Sequence, residues 1–367
     1  MSRVQYLDGL RAVAIIAVLG VHWIASQFPV AYGGYIGVDV FFILSGYIIT
    51  TLLWRNQHSQ SIRANYGHFL RRRVSRLYPA LLAFVVVTLI IYAVFPGAPT
   101  RLEELVIPAI LALTQGYSFY AASGAATSAP FAITWSLSVE WMFYLVWPLV
   151  VFAAKEAAVP ARRLAFWASV SAVGLYVLAL FQDSHWFYYG PVARIPEILV
   201  GCVLALVLQS SDVKERKSSK PRLRSTGAAV ALLFLAAYSV FGPVQWSPVF
   251  RFVGLPLTVL AVAYLIWFGR SMPDARLTSV LSWAPLTFVG RISYSLYLWH
   301  MVGLNLFTTE NVGELPLLGV AALGVGVALG MALISYRLLE LPRSRQSSKS
   351  RTLKPADSAA DALGVGR

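Results

Sequence analysis

Apolar segments of membrane-spanning length recur along almost the whole chain, and they limit the possible folds more than any other feature. A helix needs about 20 predominantly apolar residues to cross the hydrocarbon core of a bilayer. The segments of this kind are 10–28, 36–54, 77–95, 138–154, 164–182, 193–209, 226–242, 252–269, 286–307 and 315–337. Only 13% of the 367 residues are charged, whereas a soluble chain usually has about 25%. The sequence therefore predicts an all-α integral membrane protein with about ten transmembrane helices and no soluble domain.

The charges of the loops predict the side of the membrane that each loop faces. Segment 55–76 contains six arginines and no acidic residue, and segments 155–163 and 210–225 also carry an excess of Lys and Arg. Loops of this composition face the cytoplasm. Two cytoplasmic loops must be separated by an even number of crossings, so we expect the interrupted apolar segment 105–120 to be re-entrant or interfacial.

The same alternation places both termini in the cytoplasm. It divides the chain into a transmembrane domain, residues 1–340, and a basic, disordered tail, residues 341–367. The net charge of +14 comes from basic clusters between apolar segments, which indicates the lipid bilayer rather than nucleic acid as a partner. A single cysteine, Cys202, excludes a disulfide or a cysteine metal site within one chain. We predict no bound metal and no bound cofactor.

Ionisable residues within apolar segments are candidate functional residues, because a charge in the hydrocarbon core is costly. Arg11 starts the first segment, and His22 lies eleven residues later, roughly 16 Å along a helix. His300 lies in the ninth segment at about the same expected depth as His22. We expect both histidines to meet Glu140, at the start of the fourth segment, in the outer half of the membrane. The structural alternatives are a packing role for the histidines and a solvated helix-start charge for Glu140.

The remaining candidates each have a structural and a functional interpretation. Arg73 and Arg76, expected near Arg11 at the inner face, fix the topology or bind a phosphorylated cytoplasmic substrate through their guanidinium groups. Asp39, near the outer end of the second segment, needs a polar partner. Ser45 and the glycine that follows it either allow close helix packing or contact a substrate.

Five sequence blocks that contain these residues resemble, in the same order, the successive motifs of the membrane acyltransferase-3 family. The blocks are YLDGLRAVAIIAVLGVH, GVDVFFILSGYIIT, RRRVSRLYPALL, TWSLSVEWMFYLVWP and GRISYSLYLWH. The likeness extends from about residue 5 to residue 340. It implies transfer of an acyl group, usually acetyl, from acyl-CoA across the membrane to a hydroxyl group. The implied acceptors are mostly sugars of lipopolysaccharide, exopolysaccharide or peptidoglycan, and sometimes an antibiotic or another small molecule.

The resemblance also implies roles for single positions. These are an essential arginine and histidine at Arg11 and His22, an RxxR pair at Arg73 and Arg76, an FFxxSG element at Phe41, Phe42, Ser45 and Gly46, and a helix-start carboxylate at Glu140. Met301 and Trp141 depart from the family, which often has proline and a second acid at these positions. A local kink after His300 and a carboxylate pair at Glu140 therefore lack support.

On this basis we predict that acyl-CoA, in the simplest case acetyl-CoA, binds from the cytoplasm as the donor substrate. The predicted catalytic residues are His22, Glu140 and His300, and the predicted substrate-binding residues are Arg11, Arg73, Arg76, Asp39 and Ser45. His22 acts as general base on the acceptor hydroxyl or carries the acyl group itself. The chain stops without the extracytoplasmic esterase-like domain of some relatives. We therefore expect transfer to be completed by the membrane domain or by a partner, such as a polysaccharide-assembly protein.

The expected acceptor is a hydroxyl of a cell-surface polysaccharide such as lipopolysaccharide O-antigen or exopolysaccharide, and the expected location is the bacterial cytoplasmic membrane. Two other classes of function compete with this hypothesis. A proton-coupled transporter or flippase would use the intramembrane His, Asp and Glu residues as a proton path, and a membrane anchor would only scaffold a polysaccharide machine. The sequence contains no detectable inverted repeat, and its motifs are those of acyltransferases, so the enzyme interpretation is favoured.

Overall fold

The protein is represented by a computed structural model that describes residues 4–25, 30–55, 61–94, 101–125, 130–210, 221–306 and 317–341. Within these ranges all regular secondary structure is helical. The α-helices are α1 (Gln5–Leu19), α2 (Ile36–Arg55), α3 (Ile62–Val94), α4 (Leu102–Thr114), α5 (Tyr117–Ala122), α6 (Thr134–Glu156), α7 (Ala161–Ala179), α8 (Ser184–Tyr189), α9 (Pro191–Ser210), α10 (Pro221–Phe241), α11 (Leu255–Ser271), α12 (Arg276–Leu281), α13 (Ala284–Leu306) and α14 (Leu317–Ser335). Short 3₁₀ turns precede α2 and α6, at Tyr32–Tyr35 and Phe131–Ile133.

The predicted fold class is confirmed. Eight helices within the described ranges are long and apolar enough to cross a membrane: α1, α2, α3, α6, α9, α10, α11 and α14, some of them with their flanking turns. The other two predicted spans coincide with α7 and α13, which are long but less apolar. Helices suit this environment because each backbone N–H and C=O group is satisfied within its own segment.

The interrupted segment 105–120 forms two short helices instead of one long helix. Helix α4 ends at Thr114, Gln115 adopts a left-handed conformation with φ of 60°, and α5 begins two residues later. Thirteen residues of α4 extend only about 20 Å, less than the ~30 Å hydrocarbon core. Neither α4 nor α5 is among the eight candidate spans.

Helix α3 is longer than a membrane crossing requires. Its 33 residues extend about 50 Å, and its first half contains the arginine cluster of RRRVSR. Most of these arginines are exposed. The basic end of α3 therefore projects beyond the apolar part of the helix, on the side that loop charge assigns to the cytoplasm.

Helix α1 packs against both α2 and α13. At its contact with α13, a Cβ atom on Gly290 would lie 1.8 Å from the carbonyl oxygen of Asp8, so only glycine allows the two backbones to approach this closely. Helix α2 also packs against α9, which packs against α7. This arrangement places α1 between α2 and α13, two of the motif-bearing helices, with the N-terminal ends of α1 and α13 in direct contact.

Three π-helical turns interrupt the α-helical pattern, at Gly20–Ile24, Phe250–Gly254 and Tyr336–Glu340. Each turn carries an ionisable side chain: His22 in the first, Arg251 in the second and Glu340 in the third. Turns of this kind are rare and occur frequently at functional sites. The predicted disordered tail begins at the end of the third turn, and its residues from 342 onward lie outside the described ranges.

Candidate active site

Two histidines from distant parts of the chain meet near the C-terminal ends of α1 and α13. His300 is completely buried in α13, and its Nε2 atom lies 3.3 Å from Nδ1 of His22. The ring centroids are 4.9 Å apart. His22 itself is half-buried. The expected meeting of the two histidines is therefore present in the structure, although 278 residues separate them.

Backbone carbonyl groups determine which nitrogen of each ring carries a hydrogen. Nδ1 of His22 lies 2.8 Å from the carbonyl oxygen of Val18, and Nδ1 of His300 lies 2.7 Å from that of Tyr297. A carbonyl oxygen only accepts hydrogen bonds, so both Nδ1 atoms donate. The single hydrogen on Nδ1 of His22 is then shared between the carbonyl oxygen of Val18 and, at the longer distance of 3.3 Å, Nε2 of His300. Nε2 of His22 takes part in neither bond and remains a basic nitrogen.

A cavity of about 50 Å³ lies between α1, α2, α6 and α13, and neither histidine is among the residues that line it. A space of this size holds a few water molecules. Its lining residues are Arg11, Val38, Phe41, Phe42, Ser136, Leu137, Glu140, Ser293, Tyr294 and Tyr297. Tyr297 joins the cavity to the histidines, because its ring centroid lies 5.7 Å from that of His300. The Tyr297 hydroxyl lies 2.8 Å from Oγ of Ser136.

Glu140 belongs to the arginine side of the site. The hydroxyl of Tyr144 donates to Oε2 of Glu140 at 3.1 Å, and Oγ of Ser45 lies 3.1 Å from the same hydroxyl. The guanidinium of Arg73 lies 5.5 Å from the centroid of the Tyr144 ring, within the range of a cation–π contact. Glu140 also shares the cavity wall with Arg11. These contacts form one polar cluster, which includes part of the cavity wall.

The position of Glu140 differs from the expected meeting with both histidines. Helices α6 and α13 are level where Ser136 contacts Tyr297. From that level Glu140 is four residues further along α6, whereas His300 is three residues further along α13, which runs in the opposite direction. The two side chains are therefore separated by roughly 10 Å along the helix axes.

Asp39 has a partner that the sequence interpretation missed. Its Oδ1 atom lies 3.0 Å from Nη1 of Arg194, which also lies 2.8 Å from Oε1 of Glu197. The three side chains are 0–2% exposed. Asp39 is thus part of a buried ion cluster between α2 and α9 and is not among the residues that line the cavity; its contact with substrate stays a prediction. The signal for Arg194 and Glu197 in the sequence is that both are charged residues within the apolar segment 193–209.

The remaining predicted residues divide between the core and the surface. Arg73 is half-buried against the rings of Phe69 and Tyr144, whereas Arg76 is exposed. Helix α13 continues without interruption through Met301 to Leu306. Trp141, where the family often has an acid, is buried against Tyr78 with ring centroids 5.2 Å apart. Within the described ranges, no group of three or more His, Cys, Asp or Glu side chains could hold a metal ion.

A family model described as an acyltransferase domain matches residues 4–336, which is nearly the whole chain. The chain belongs to the membrane acyltransferase-3 family. The family resemblance of the five motif blocks is thereby confirmed. In the structure of this family member, the motif residues Arg11, Phe41, Phe42 and Glu140 line one cavity. The motif histidine His22 is connected to that cavity through His300 and Tyr297.

Curated relatives of this acyltransferase-family chain include bacterial O-acetyltransferases. It is 34% identical over 362 residues to the peptidoglycan O-acetyltransferase OatA of Listeria monocytogenes, an alignment that covers 92% of this chain and 55% of the relative. It is 30% identical over 358 residues to the putative peptidoglycan O-acetyltransferase YrhL of Bacillus subtilis, covering 94% and 55%. It is also 30% identical over 365 residues to the O-acetyltransferase OatA of Staphylococcus aureus, covering 95% and 58%.

The chain therefore spans little more than half the length of the curated relatives that it matches. No solved structure matches it.

Proposed function

We propose that this chain is a membrane O-acetyltransferase that moves an acetyl group from acyl-CoA to a hydroxyl group of an extracytoplasmic glycan. The observation that carries the proposal is the position of His22. Its basic Nε2 atom is left available by the contacts of Nδ1. The ring contacts His300, which packs against the cavity residue Tyr297, in a chain of this family. Two relatives are named as peptidoglycan O-acetyltransferases, so peptidoglycan is the first acceptor to test. Lipopolysaccharide O-antigen and exopolysaccharide are the alternatives.

In the proposed reaction, His22 is the general base. Its Nε2 atom takes the proton of the acceptor hydroxyl while the hydroxyl oxygen attacks the thioester carbonyl carbon of the donor. The new ester C–O bond forms, the C–S bond breaks, and the proton passes from His22 to the leaving thiolate. The carbonyl group of Val18 orients the ring through Nδ1, and His300 contacts the same nitrogen.

The cluster around Glu140 forms the donor side of the proposed site. Arg73 and the exposed Arg76 lie at the end of α3 that loop charge assigns to the cytoplasm, where guanidinium groups suit the phosphates of a coenzyme A. Arg11 continues this positive path into the cavity. Glu140 balances these charges, and Tyr144 fixes the carboxylate. The small cavity accepts the acyl end of the donor, while the coenzyme remains outside.

The experiment that tests the proposal compares His22→Ala with the wild-type protein at equal levels in membranes. Labelled acetyl-CoA is the donor, and base-labile acetate on isolated peptidoglycan, lipopolysaccharide and exopolysaccharide is the readout. We expect a loss of at least about 100-fold, since a general base contributes roughly 10²–10⁴ to the rate. The control is His68→Ala, because His68 is an exposed residue of α3. Normal transfer by His22→Ala would remove His22 from the mechanism.

A further inference from the structure

A cluster of aromatic side chains lies at the end of the molecule opposite to the arginine cluster, outside the cavity. The rings of His185 and Trp246 have centroids 4.8 Å apart, and those of Tyr189 and Trp246 are 5.7 Å apart. The ring of Phe119 lies 6.4 Å from that of Trp186. We name these five residues the outer aromatic shelf. Trp246 is 37% exposed and Phe119 is 49% exposed, so both rings are partly accessible from outside the protein.

The shelf belongs to short segments between the spanning helices. Helix α8 contributes His185, Trp186 and Tyr189, the loop between α10 and α11 contributes Trp246, and α5 contributes Phe119. The segments 183–192 and 243–251 lack the basic clusters of the cytoplasmic loops, so loop charge assigns them to the outer side. This is the side on which an extracytoplasmic acceptor would arrive.

Hydrogen bonds at both ends of α8 fix the position of this part of the shelf. Oδ1 of Asp183 accepts hydrogen bonds from the backbone N–H groups of His185 at 2.8 Å and of Trp186 at 3.1 Å, which fixes the start of α8. Oγ of Ser118 donates to the carbonyl oxygen of Tyr189 at 2.6 Å, which fixes its end. A rigid arrangement of rings costs little entropy when a ligand binds.

A continuous set of ring contacts connects the shelf to the candidate active site. The ring of Tyr189 lies 5.3 Å from that of Trp135, and Trp135 lies 6.0 Å from Phe42. Phe42 lines the cavity, as does Ser136, the residue after Trp135. Trp135 and Phe42 are 5% and 1% exposed, so these rings connect the shelf to the cavity wall through the protein interior.

We propose that the outer aromatic shelf binds sugar rings of the acceptor glycan and so positions the glycan for acetylation. The inference rests on the proposed function for the identity of the glycan. A pyranose ring has faces of C–H groups, which pack against the electron-rich faces of aromatic rings. The exposed carboxylate of Asp183 offers acceptors for sugar hydroxyl groups next to these faces. An aromatic belt that only anchors the protein in the lipid interface is the alternative outcome of the test.

The test measures binding of a soluble peptidoglycan glycan-strand tetrasaccharide to the full chain in lipid nanodiscs by isothermal titration calorimetry. We expect Trp246→Ala to weaken binding roughly tenfold and Trp246→Phe, which keeps a ring, to weaken it less. His185→Ala, on the exposed edge of the shelf, provides a second variant if Trp246→Ala lowers the yield of folded protein. The matched control is Trp283→Ala, since Trp283 is 63% exposed and lies on the opposite side of the membrane, between α11 and α13.

A binding assay separates failure of the shelf from failure of the proposed reaction. His22→Ala is expected to bind the tetrasaccharide as the wild-type protein does, although it transfers no acetyl group. Binding that depends on Trp246 in a protein without transferase activity would support the shelf and contradict the proposed function. Equal binding by Trp246→Ala, Trp283→Ala and the wild type, or no binding by the wild type, would overturn the inference and leave the shelf as a lipid anchor.

Discussion

One buried side chain, that of Arg194, connects helices α2 and α9 by pairing with two carboxylates. Nη1 of Arg194 contacts both Asp39 and Glu197, and Nε donates to the carbonyl oxygen of Tyr188 at 2.7 Å. The guanidinium also lies 4.7 Å from the centroid of the Tyr188 ring. Burial makes each of these charges dependent on its partners, because an unpaired charge in this environment is very costly. The cluster thus holds α9 against α2 and supports the residues below the outer aromatic shelf.

Replacing this arginine should destabilise the whole protein. Arg194→Ala leaves the carboxylates of Asp39 and Glu197 buried without their cation, and the expected cost is about 3–5 kcal/mol. The measurement is the melting temperature of the purified protein in detergent. Arg101→Ala is the control, because the ion pair of Arg101 with Glu103 is about four-fifths exposed and surface pairs contribute little. Equal melting temperatures for the two variants would show that the buried cluster has no such role.

The sequence predicted the polar residues of the site better than it predicted their partners. The rule that an intramembrane charge needs a partner correctly indicated that Asp39 has one. It could not identify Arg194, which is 155 residues away, because the sequence does not state which face of α9 packs against α2. The meeting of His22 with His300 followed from equal depth in the membrane. The sequence, however, indicates the depth of a residue in the membrane only approximately. It therefore did not predict that His300 and Glu140 lie at different levels of α13 and α6.

At the scale of the elements, close approach of α2 and α9 depends on a glycine. A Cβ atom on Gly46 would lie 1.9 Å from the carbonyl oxygen of Ile198. Since no real Cβ contact is so short, any side chain here must push the two backbones apart. The structure therefore supports the packing interpretation for Gly46, whereas its neighbour Ser45 contacts the polar cluster through Tyr144.

Gly46→Ala should consequently lower the melting temperature, at a cost of about 1–3 kcal/mol for overpacking. The matched control is Gly67→Ala in α3, where a new Cβ atom would have nothing within 4 Å. Glycine within a helix lowers the stability of the protein by roughly 0.5–1 kcal/mol relative to alanine. This control should therefore keep or raise the melting temperature. If both variants melted at the same temperature, the close contact between α2 and α9 would not limit stability.

Apolar length predicted the helices well, but it could not predict local irregularities. The predicted first span, 10–28, corresponds to α1 and a π-helical turn that ends at Ile24. That turn alters the direction of the His22 side chain relative to a regular α-helix, and its hydrogen-bond pattern has no signal in an apolar sequence. For 105–120 the interruptions at Gln115 and Gly116 indicated that the segment is not a regular span, and α4 ends at this point, but they did not predict two separate helices.

At the scale of the whole molecule, the candidate site has two differently built ends. The end near α3 combines Arg73 and Arg76 with Glu140 and Tyr144, whereas the other end combines the histidine pair with the aromatic shelf. The cavity lies between them and has Arg11 on its wall. This asymmetry suits a reaction in which an anionic donor and a glycan acceptor approach from opposite compartments. The basic loops favour the cytoplasm as the donor side.

Binding of the donor should therefore depend on the orientation of the membrane. Labelled acetyl-CoA is expected to bind to inside-out vesicles and not to sealed right-side-out vesicles, because the exposed Arg76 and the half-buried Arg73 lie at the cytoplasmic end. The double variant Arg73→Ala/Arg76→Ala should weaken binding at least about tenfold through loss of charge-assisted hydrogen bonds to phosphate.

A second arginine pair controls for charge alone. Arg162 and Arg163 are exposed at the start of α7, on the side that loop charge also assigns to the cytoplasm. The double variant Arg162→Ala/Arg163→Ala removes the same two charges from this face and should leave binding unchanged. If the two double variants lost acetyl-CoA binding equally, the arginines of α3 would contribute only through their general positive charge. Binding from the outer side would reverse the proposed orientation of the whole site.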